Sequence, residues 1–194
     1  MTIVIDLLAD GSRPAVATAG PYANALAYMA RYGWTEGVQL LADEAQLLTE
    51  QLLRDAIAVL DGVGTWTGAP TGPQQQAGLA AATRLQEQLV NSTNFMDGYL
   101  RARVSLPIAT DDANAGTLRD CCMALARVGL ADDSDNATER MDATAATWRK
   151  WLVDVSQGKV QLIGATGEPM AGSSGVITGQ VRSGYDWGSF GGVR

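Results

Sequence analysis

Histidine is absent from this sequence of 194 residues. Without it the chain cannot form a Ser-His-Asp triad, use histidine as a general base or build most kinds of zinc site. Cysteine is limited to Cys121 and Cys122, which are adjacent and cannot form an ordinary disulfide with each other. No disulfide is therefore expected within the subunit, which fits assembly in a reducing compartment.

Basic residues are also scarce, with 14 Lys and Arg against 21 Asp and Glu and a net charge of −7. Proteins that grip phosphate backbones usually carry a basic face, so this balance disfavours sequence-independent binding of nucleic acid. A protein that merely surrounds DNA would benefit from the same acidity. No run reaches the roughly 18 apolar residues of a membrane span, and no membrane partner is expected.

The common catalytic and cofactor motifs are missing as well. GVGTWTG at 62–68 has the wrong glycine spacing for dinucleotide binding, and no predicted strand precedes it. GK at 158–159 lacks the first glycine of a phosphate-binding loop. ADDSDN at 131–136 resembles a calcium loop, but the glycine and glutamate that an EF-hand needs are absent. We expect no catalytic residue, no cofactor, no metal site and no enzymatic activity.

What the sequence does contain is a series of amphipathic helices. Their apolar residues recur at steps of three, four and seven, the spacing of one helix face. The fold class is therefore all-α, a small bundle of about four to five helices. Thr49 is a predicted N-cap, Asn136 with Glu139 resembles a capping box, and Gly33 ends the first helix. The predicted helices span about 22–32, 49–60, 73–104, 112–130 and 136–158.

Tryptophans mark the core and the surface of this bundle. Trp148 falls on the apolar seam of the last helix and is a predicted core residue, as are the adjacent cysteines. Trp151 lies off that seam and is a candidate for contact with a neighbouring subunit. Trp66 lies in a loop insertion at 61–73, rich in Gly, Thr and Pro. It is either tucked onto the domain or an anchor in a subunit interface.

The two ends of the chain differ from the helical part. Residues 1–21 are predicted to be an irregular leader. Residues 163–194 are predicted to be an extended Gly-rich arm, because such a segment cannot bury enough apolar surface to fold alone. Tyr185, Trp187 and Phe190 near its end suit an arm that docks into a partner, since aromatics often dominate binding energy. The alternative is a tail whose aromatics are incidental.

MDGYLRARVSLP at 96–107 closes the longest predicted helix. Gly98 would let another helix approach closely, although glycine costs about 1 kcal/mol relative to alanine in a helix. Arg101 and Arg103 can pair with acidic neighbours, and both are candidates for a subunit interface. Pro107 would fix the corner into the next helix. The motif either holds the bundle together or contacts a neighbour directly.

Four motifs in order resemble the Mu-like phage gp36 family of small virion proteins. Each is weak by itself, but together they span residues 22–162, the predicted helical domain. The loop at 61–73 and the leader are not explained by this resemblance. The motifs are ARYGW (30–34), MDGYLRARVSLP (96–107), LRDCCMALARVGL (118–130) and KWLVDVSQGKVQL (150–162).

The resemblance implies a head–tail connector, or adaptor, of the virion neck that is assembled in the host cytoplasm. Such proteins form a ring under the portal, which would here have twelve-fold symmetry, and extend the DNA channel. The implied partners are the portal protein, neighbouring copies of the chain and a stopper or tail-terminator protein, and DNA passes without specific binding. One alternative is a head-closure or tail-completion protein. Another is a small helical protein that binds nucleic acid or assists packaging.

Overall fold

The computed structural model describes residues 20–42, 45–106, 108, 114–131 and 137–163. Six helices lie within these ranges, and they confirm the predicted all-α fold class. No helix is predicted at α2, so the predicted count of four to five is too low. Except for residues 20–21 and Ile163, the predicted leader and arm, with Tyr185, Trp187 and Phe190, lie outside the described residues. The helices are α1 Ala25–Tyr32, α2 Trp34–Leu41, α3 Glu50–Leu60, α4 Gly72–Leu100, α5 Ala115–Leu130 and α6 Glu139–Ser156.

The first two helices meet at Gly33, which ends α1 and begins α2. Its φ of 89° and ψ of 155° lie in a region that is essentially restricted to glycine, so the predicted end of the first helix is confirmed. The apolar residues of α2 have helical spacing, but Gly37 interrupts the pattern and hides the helix. The structure explains this glycine, because the sulfur end of Met29 occupies the space that a Cβ at position 37 would need.

Helix caps agree with the sequence in part. Thr49 caps α3 as predicted, its hydroxyl accepting a hydrogen bond of 3.2 Å from the backbone N–H three residues on. The cap of α6 is Thr138, which accepts an equivalent bond of 3.3 Å, whereas the predicted cap Asn136 lies outside the described residues. Gly158 ends α6 with a φ of 76°, as predicted. Threonine therefore sets the helix starts by accepting a hydrogen bond from an unpaired backbone N–H, and glycine sets the ends by adopting a positive φ.

The long helix α4 organises the bundle. Its 29 residues span about 43 Å, and it contacts α1, α2, α3, α5 and α6. The helix is continuous through 91–94, although Asn, Ser and Thr favour helices only weakly, and Ser92 and Thr93 are buried there. It ends at Leu100, earlier than predicted. Its fully buried side chains include Leu85, Leu89, Met96 and Leu100.

All six helices contribute to one hydrophobic core, which surrounds α4. Cys121 and Cys122 are completely buried, which confirms the prediction for both. The seam of α6 is also buried except at Trp148, which is half-buried at the edge of the core. Its ring meets that of Trp151 edge-on, with centroids 5.6 Å apart. The prediction for Trp148 is therefore confirmed only in part, because the indole packs on the core but is half-buried and also contacts the ring of Trp151.

Across the described ranges, no helix combines the length and the apolar character needed to cross a membrane.

Candidate functional site

The motifs ARYGW and LRDCCMALARVGL meet where α1 and α2 pack on α5. Arg127 binds both carboxylate oxygens of Glu36 at 2.6 Å each. Its guanidinium also lies 4.6 Å from the centroid of the Tyr32 ring. The two charged side chains are each 24% exposed, and the hydrogen bonds to Glu36 raise the pKa of Arg127. A planar, two-fold contact of this kind fixes orientation as well as distance.

A second ion pair borders this contact on the solvent side. Arg31 forms an ion pair with Asp120 at 2.5 Å, and the two side chains are 42% and 35% exposed, respectively. Its guanidinium lies 5.8 Å from the same Tyr32 ring, so the ring is flanked by two arginines. Burial raises the pKa of Tyr32. We call these five residues, Arg31, Tyr32, Glu36, Asp120 and Arg127, the Arg127 cluster.

Tyr28 lies beneath the Arg127 cluster. Its ring is completely buried and contacts Tyr32, with centroids 4.9 Å apart. Its hydroxyl is buried and forms no hydrogen bond within the described part of the chain. Burial raises the pKa of this hydroxyl, and Glu36 adds to the effect. Within the described part of the chain, Tyr28 therefore contributes a buried ring whose hydroxyl has no hydrogen-bond partner.

The start of the domain is held to α4 by Tyr22. Its hydroxyl donates to Asp97 at 2.5 Å, and its backbone N–H donates to the hydroxyl of Thr93 at 3.1 Å. Thr93 lies 3.5 Å from the sulfur of Cys122. Burial and the bond to Asp97 raise the pKa of Tyr22, and burial raises that of the Cys122 thiol. This sulfur is a packing group and not a nucleophile.

The other two motifs, MDGYLRARVSLP and KWLVDVSQGKVQL, meet at the ends of α4 and α6. Arg103 donates from Nε to the carbonyl of Ser156 at 3.0 Å, and its guanidinium packs beside Gly158. Arg101 donates to the carbonyl of Asp97 at 3.3 Å. Among the described residues, both arginines thus bond main-chain carbonyls and not the acidic side chains that the sequence suggests. A cation at a helix C-terminus opposes the negative end of the helix dipole.

Gly98 does not admit a helix of the same subunit. It is exposed, and a Cβ built there would touch nothing among the residues described. Its neighbours Phe95 and Tyr99 form an edge-on pair 5.2 Å apart, with Phe95 42% exposed. Leu100 is buried and Tyr99 packs on the core. The exposed phenylalanine was not singled out by sequence reasoning, because the stripe of α4 predicts only its buried face.

The loop between α3 and α4 is held by a buried carboxylate. Asp55 accepts hydrogen bonds from the Thr67 backbone N–H at 2.7 Å, from the Thr67 hydroxyl at 3.1 Å and from Gln51 at 2.8 Å. The backbone bond from Thr67 is the main reason that its pKa is lowered. Trp66, next to this anchor, is half-buried and packs on the core. Asp55 therefore acts as a fixed hydrogen-bond acceptor that holds the loop.

The candidate interface residues do not form one surface. Trp66 precedes α4 and Arg101 follows it, so they lie toward opposite ends of a helix of about 43 Å. Trp151 is half-buried against the core beside its neighbouring tryptophan. Arg101 and Arg103 are exposed. The role of these four residues in subunit contacts stays a prediction.

Two tyrosines test the hydrogen-bond assignments directly. Tyr22→Phe should lower the free energy of unfolding by about 1–3 kcal/mol, because Asp97 loses a charge-assisted bond. Tyr28→Phe should leave stability unchanged or raise it by about 1 kcal/mol, because an unpaired buried hydroxyl is removed. Urea unfolding of the two variants in parallel measures both changes. A loss at Tyr28 as large as that at Tyr22 would mean that the Tyr28 hydroxyl has a partner, such as a buried water.

A comparison with protein families matches this chain to the family Bacteriophage Mu, Gp36 over residues 22–179. No curated protein matches it. The matched range contains all six helices and both pairs of motif contacts. The expected resemblance is thus confirmed over most of the chain, which belongs to the bacteriophage Mu Gp36 family and is a structural protein of the phage particle.

Proposed function

We propose that this protein is a ring-forming adaptor of the phage neck, which binds the portal protein and extends the DNA channel toward the tail. The observation that carries the proposal is that the motif residues make contacts between helices. They join α1 and α2 to α5 and join α4 to α6, whereas residues of an enzyme's signature usually converge on a cleft. The function of the chain is then assembly and not catalysis.

The distribution of charge supports a protein that surrounds DNA without gripping it. Eleven of the 14 basic residues and ten of the 21 acidic residues lie in the described part of the chain. The helical bundle is thus nearly neutral, and the excess acidity belongs almost entirely to the inter-helix segments 43–44, 109–113 and 132–136. Strong binding to phosphates would need an excess of Lys and Arg on one face.

Assembly would use copies of the chain, the portal protein and a stopper or tail-terminator protein. The exposed Phe95 and the candidate interface residues Trp66, Trp151, Arg101 and Arg103 offer contact surfaces on the bundle. The Gly-rich arm offers a further one, with Tyr185, Trp187 and Phe190 as anchors. Standard protein interfaces place aromatic and arginine side chains at their centres.

The test is reconstitution with the portal protein. We expect the purified chain to cosediment with portal rings and to appear in electron micrographs as an added annulus on the tail-facing side. It should not shift duplex DNA in a gel at about 0.15 M salt. Portal rings alone and the chain alone are the controls.

The other outcomes identify the rivals. Binding to the portal only when another neck protein is already present would indicate a head-closure or tail-completion protein. Micromolar binding to duplex DNA that weakens with salt would indicate a nucleic-acid-binding or packaging accessory protein. Either result would overturn the adaptor proposal.

A further inference from the structure

An uncharged strip of α4 faces solvent in the second half of the helix. Val90 and Phe95 are 40% and 42% exposed there, and the Asn and Gly residues between and after them are exposed as well. Residues three and four apart are neighbours on a helix surface, so these positions form one continuous strip. The solvent side of a surface helix usually carries charged residues. We call this strip the Phe95 face, and its members are Val90, Asn91, Asn94, Phe95 and Gly98.

The composition of the Phe95 face suits contact with an extended apolar segment. Gly98 costs about 1 kcal/mol relative to alanine inside a helix, and a Cβ there would touch nothing among the described residues. Packing within the described subunit therefore does not explain the glycine, whereas a main chain could lie close to α4 at this point. Asn91 and Asn94 each offer an amide donor and acceptor to such a main chain, and Phe95 offers a ring.

Tyr22 brings the chain onto α4 at the edge of the Phe95 face. Its backbone N–H donates to the hydroxyl of Thr93 at 3.1 Å, and its hydroxyl donates to Asp97 at 2.5 Å. Val90 lies three residues before Thr93, and Asn94 lies three residues before Asp97, so each is the helical neighbour of a residue that holds Tyr22. The part of the chain that precedes Tyr22 therefore starts beside this strip.

We infer that residues 3–8 of the same chain bind the Phe95 face. Their sequence, IVIDLL, contains five apolar residues and a single charge. The apolar side chains cover Val90 and Phe95, and the main chain passes over Gly98. The inference goes beyond the adaptor role and does not depend on it. A leader bound in this way has to leave before Phe95 can contact another copy of the chain.

The length of the connecting chain favours the same subunit. Thirteen residues, 9–21, join the apolar segment to Tyr22, and their average span is roughly 20 Å if they behave as a flexible linker. The Phe95 face is about 12 Å long from Val90 to Gly98 and begins where Tyr22 is held. A tethered segment has a high effective concentration when its linker matches the distance to its site. The same segment of a separate subunit has no such tether.

Chemical cross-linking of the full chain tests the inference. Asp6→Cys combined with Gly98→Cys should give, with a short bis-maleimide reagent, a linked species of monomer size that peptide mass analysis assigns to this pair. The native cysteines are buried and do not interfere. Asp6→Cys combined with Gln76→Cys is the matched control, because position 76 is exposed on the same helix and lies about 33 Å from position 98. It should give little of the linked species.

The outcomes are distinct from those of the adaptor test, because the isolated subunit is used without portal. A monomeric link at position 98 that is much stronger than at position 76 supports the inference. Equal yields from the two pairs would show that the segment does not dock, and a linked dimer would show that it docks on another copy. Either result would overturn the inference and leave the adaptor proposal intact.

Thermal melts of full-length variants give an independent readout. Ile3→Ser with Ile5→Ser should lower the melting temperature by about 2–4 °C, the shift expected for a modest contact in a chain of this size. Val16→Ser, a change in the connecting residues, is the control and should leave it unchanged. Phe95→Gln should lower the melting temperature less in the leader variant than in the unchanged chain, because contacting residues are coupled. An unchanged melt for the leader variant, or additive shifts, would overturn the inference.

Discussion

Deletion of residues 180–194 should abolish association with copies of the chain and with the portal, and should leave the thermal melt of the isolated subunit nearly unchanged. The removed residues include Tyr185, Trp187 and Phe190, and Tyr and Trp are among the residue types that most often dominate binding energy. Ordering a Gly-rich chain costs about 1–2 kcal/mol of backbone entropy per residue, so these anchors must offset a large unfavourable contribution.

The comparison needs two further chains. Changing Trp187 and Phe190 together to Ala should produce most of the same loss, whereas a tail of equal length and composition in shuffled order should behave like the deletion. Sedimentation measures association and scanning calorimetry measures the melting temperature. A sharp fall in melting temperature on deletion would mean that the tail belongs to the subunit's own core. Intact assembly after the deletion would show that the arm is not needed for association.

Arg127→Ala should lower the free energy of unfolding by about 2–4 kcal/mol. The change leaves the carboxylate of Glu36 partly buried without its two hydrogen bonds and removes a cation from the face of Tyr32. Breaking a buried ion pair by removing one partner is strongly destabilising, and partial exposure reduces the effect. Because the pair joins α2 to α5, the loss should appear in the cooperative unfolding transition in urea.

Arg31→Ala is the matched control. It also removes an arginine that faces Tyr32 and binds an acidic residue, but the pair is more exposed and should contribute only about 0–1 kcal/mol. The variant Glu36→Gln with Arg127→Met should recover part of the stability, because neither charge is then left unpaired. Similar losses for the two arginines would show that burial does not distinguish them.

The buried faces of the helices were predictable from local pattern. The apolar stripes of α4, α5 and α6 contain the fully buried Leu85, Leu89, Leu118 and Leu152. They were predictable because apolar residues at helical spacing all lie on one face of the helix, and that face is the one buried. Thr49, Gly33 and Gly158 were recognisable as helix boundaries, because their side chains or backbone freedom act within one turn. Family membership was also recognisable, from four motifs whose residues are close in sequence.

Contacts between the motifs were not predictable. No local sequence pattern indicates that Arg127 binds Glu36, 91 residues away, or that Arg103 binds a main-chain carbonyl of α6. The short helix α2 was missed because its central glycine makes sense only against Met29 of another helix. A groove of about 280 Å³ between α1 and α5 is lined by residues of two motifs, Arg31 and Arg119 among them, and neither motif predicts it by itself.

The sequence by itself determined an all-α chain, its helix boundaries at the best capped ends, its buried stripes and its family, since each depends on neighbours within a few residues or on ordered short motifs. Tertiary structure alone decided which charges are paired, which aromatic rings are exposed and that the motifs join helices. Those properties depend on the relative placement of side chains far apart in the chain, because ion pairing and burial are set by distances and packing that residue spacing does not encode.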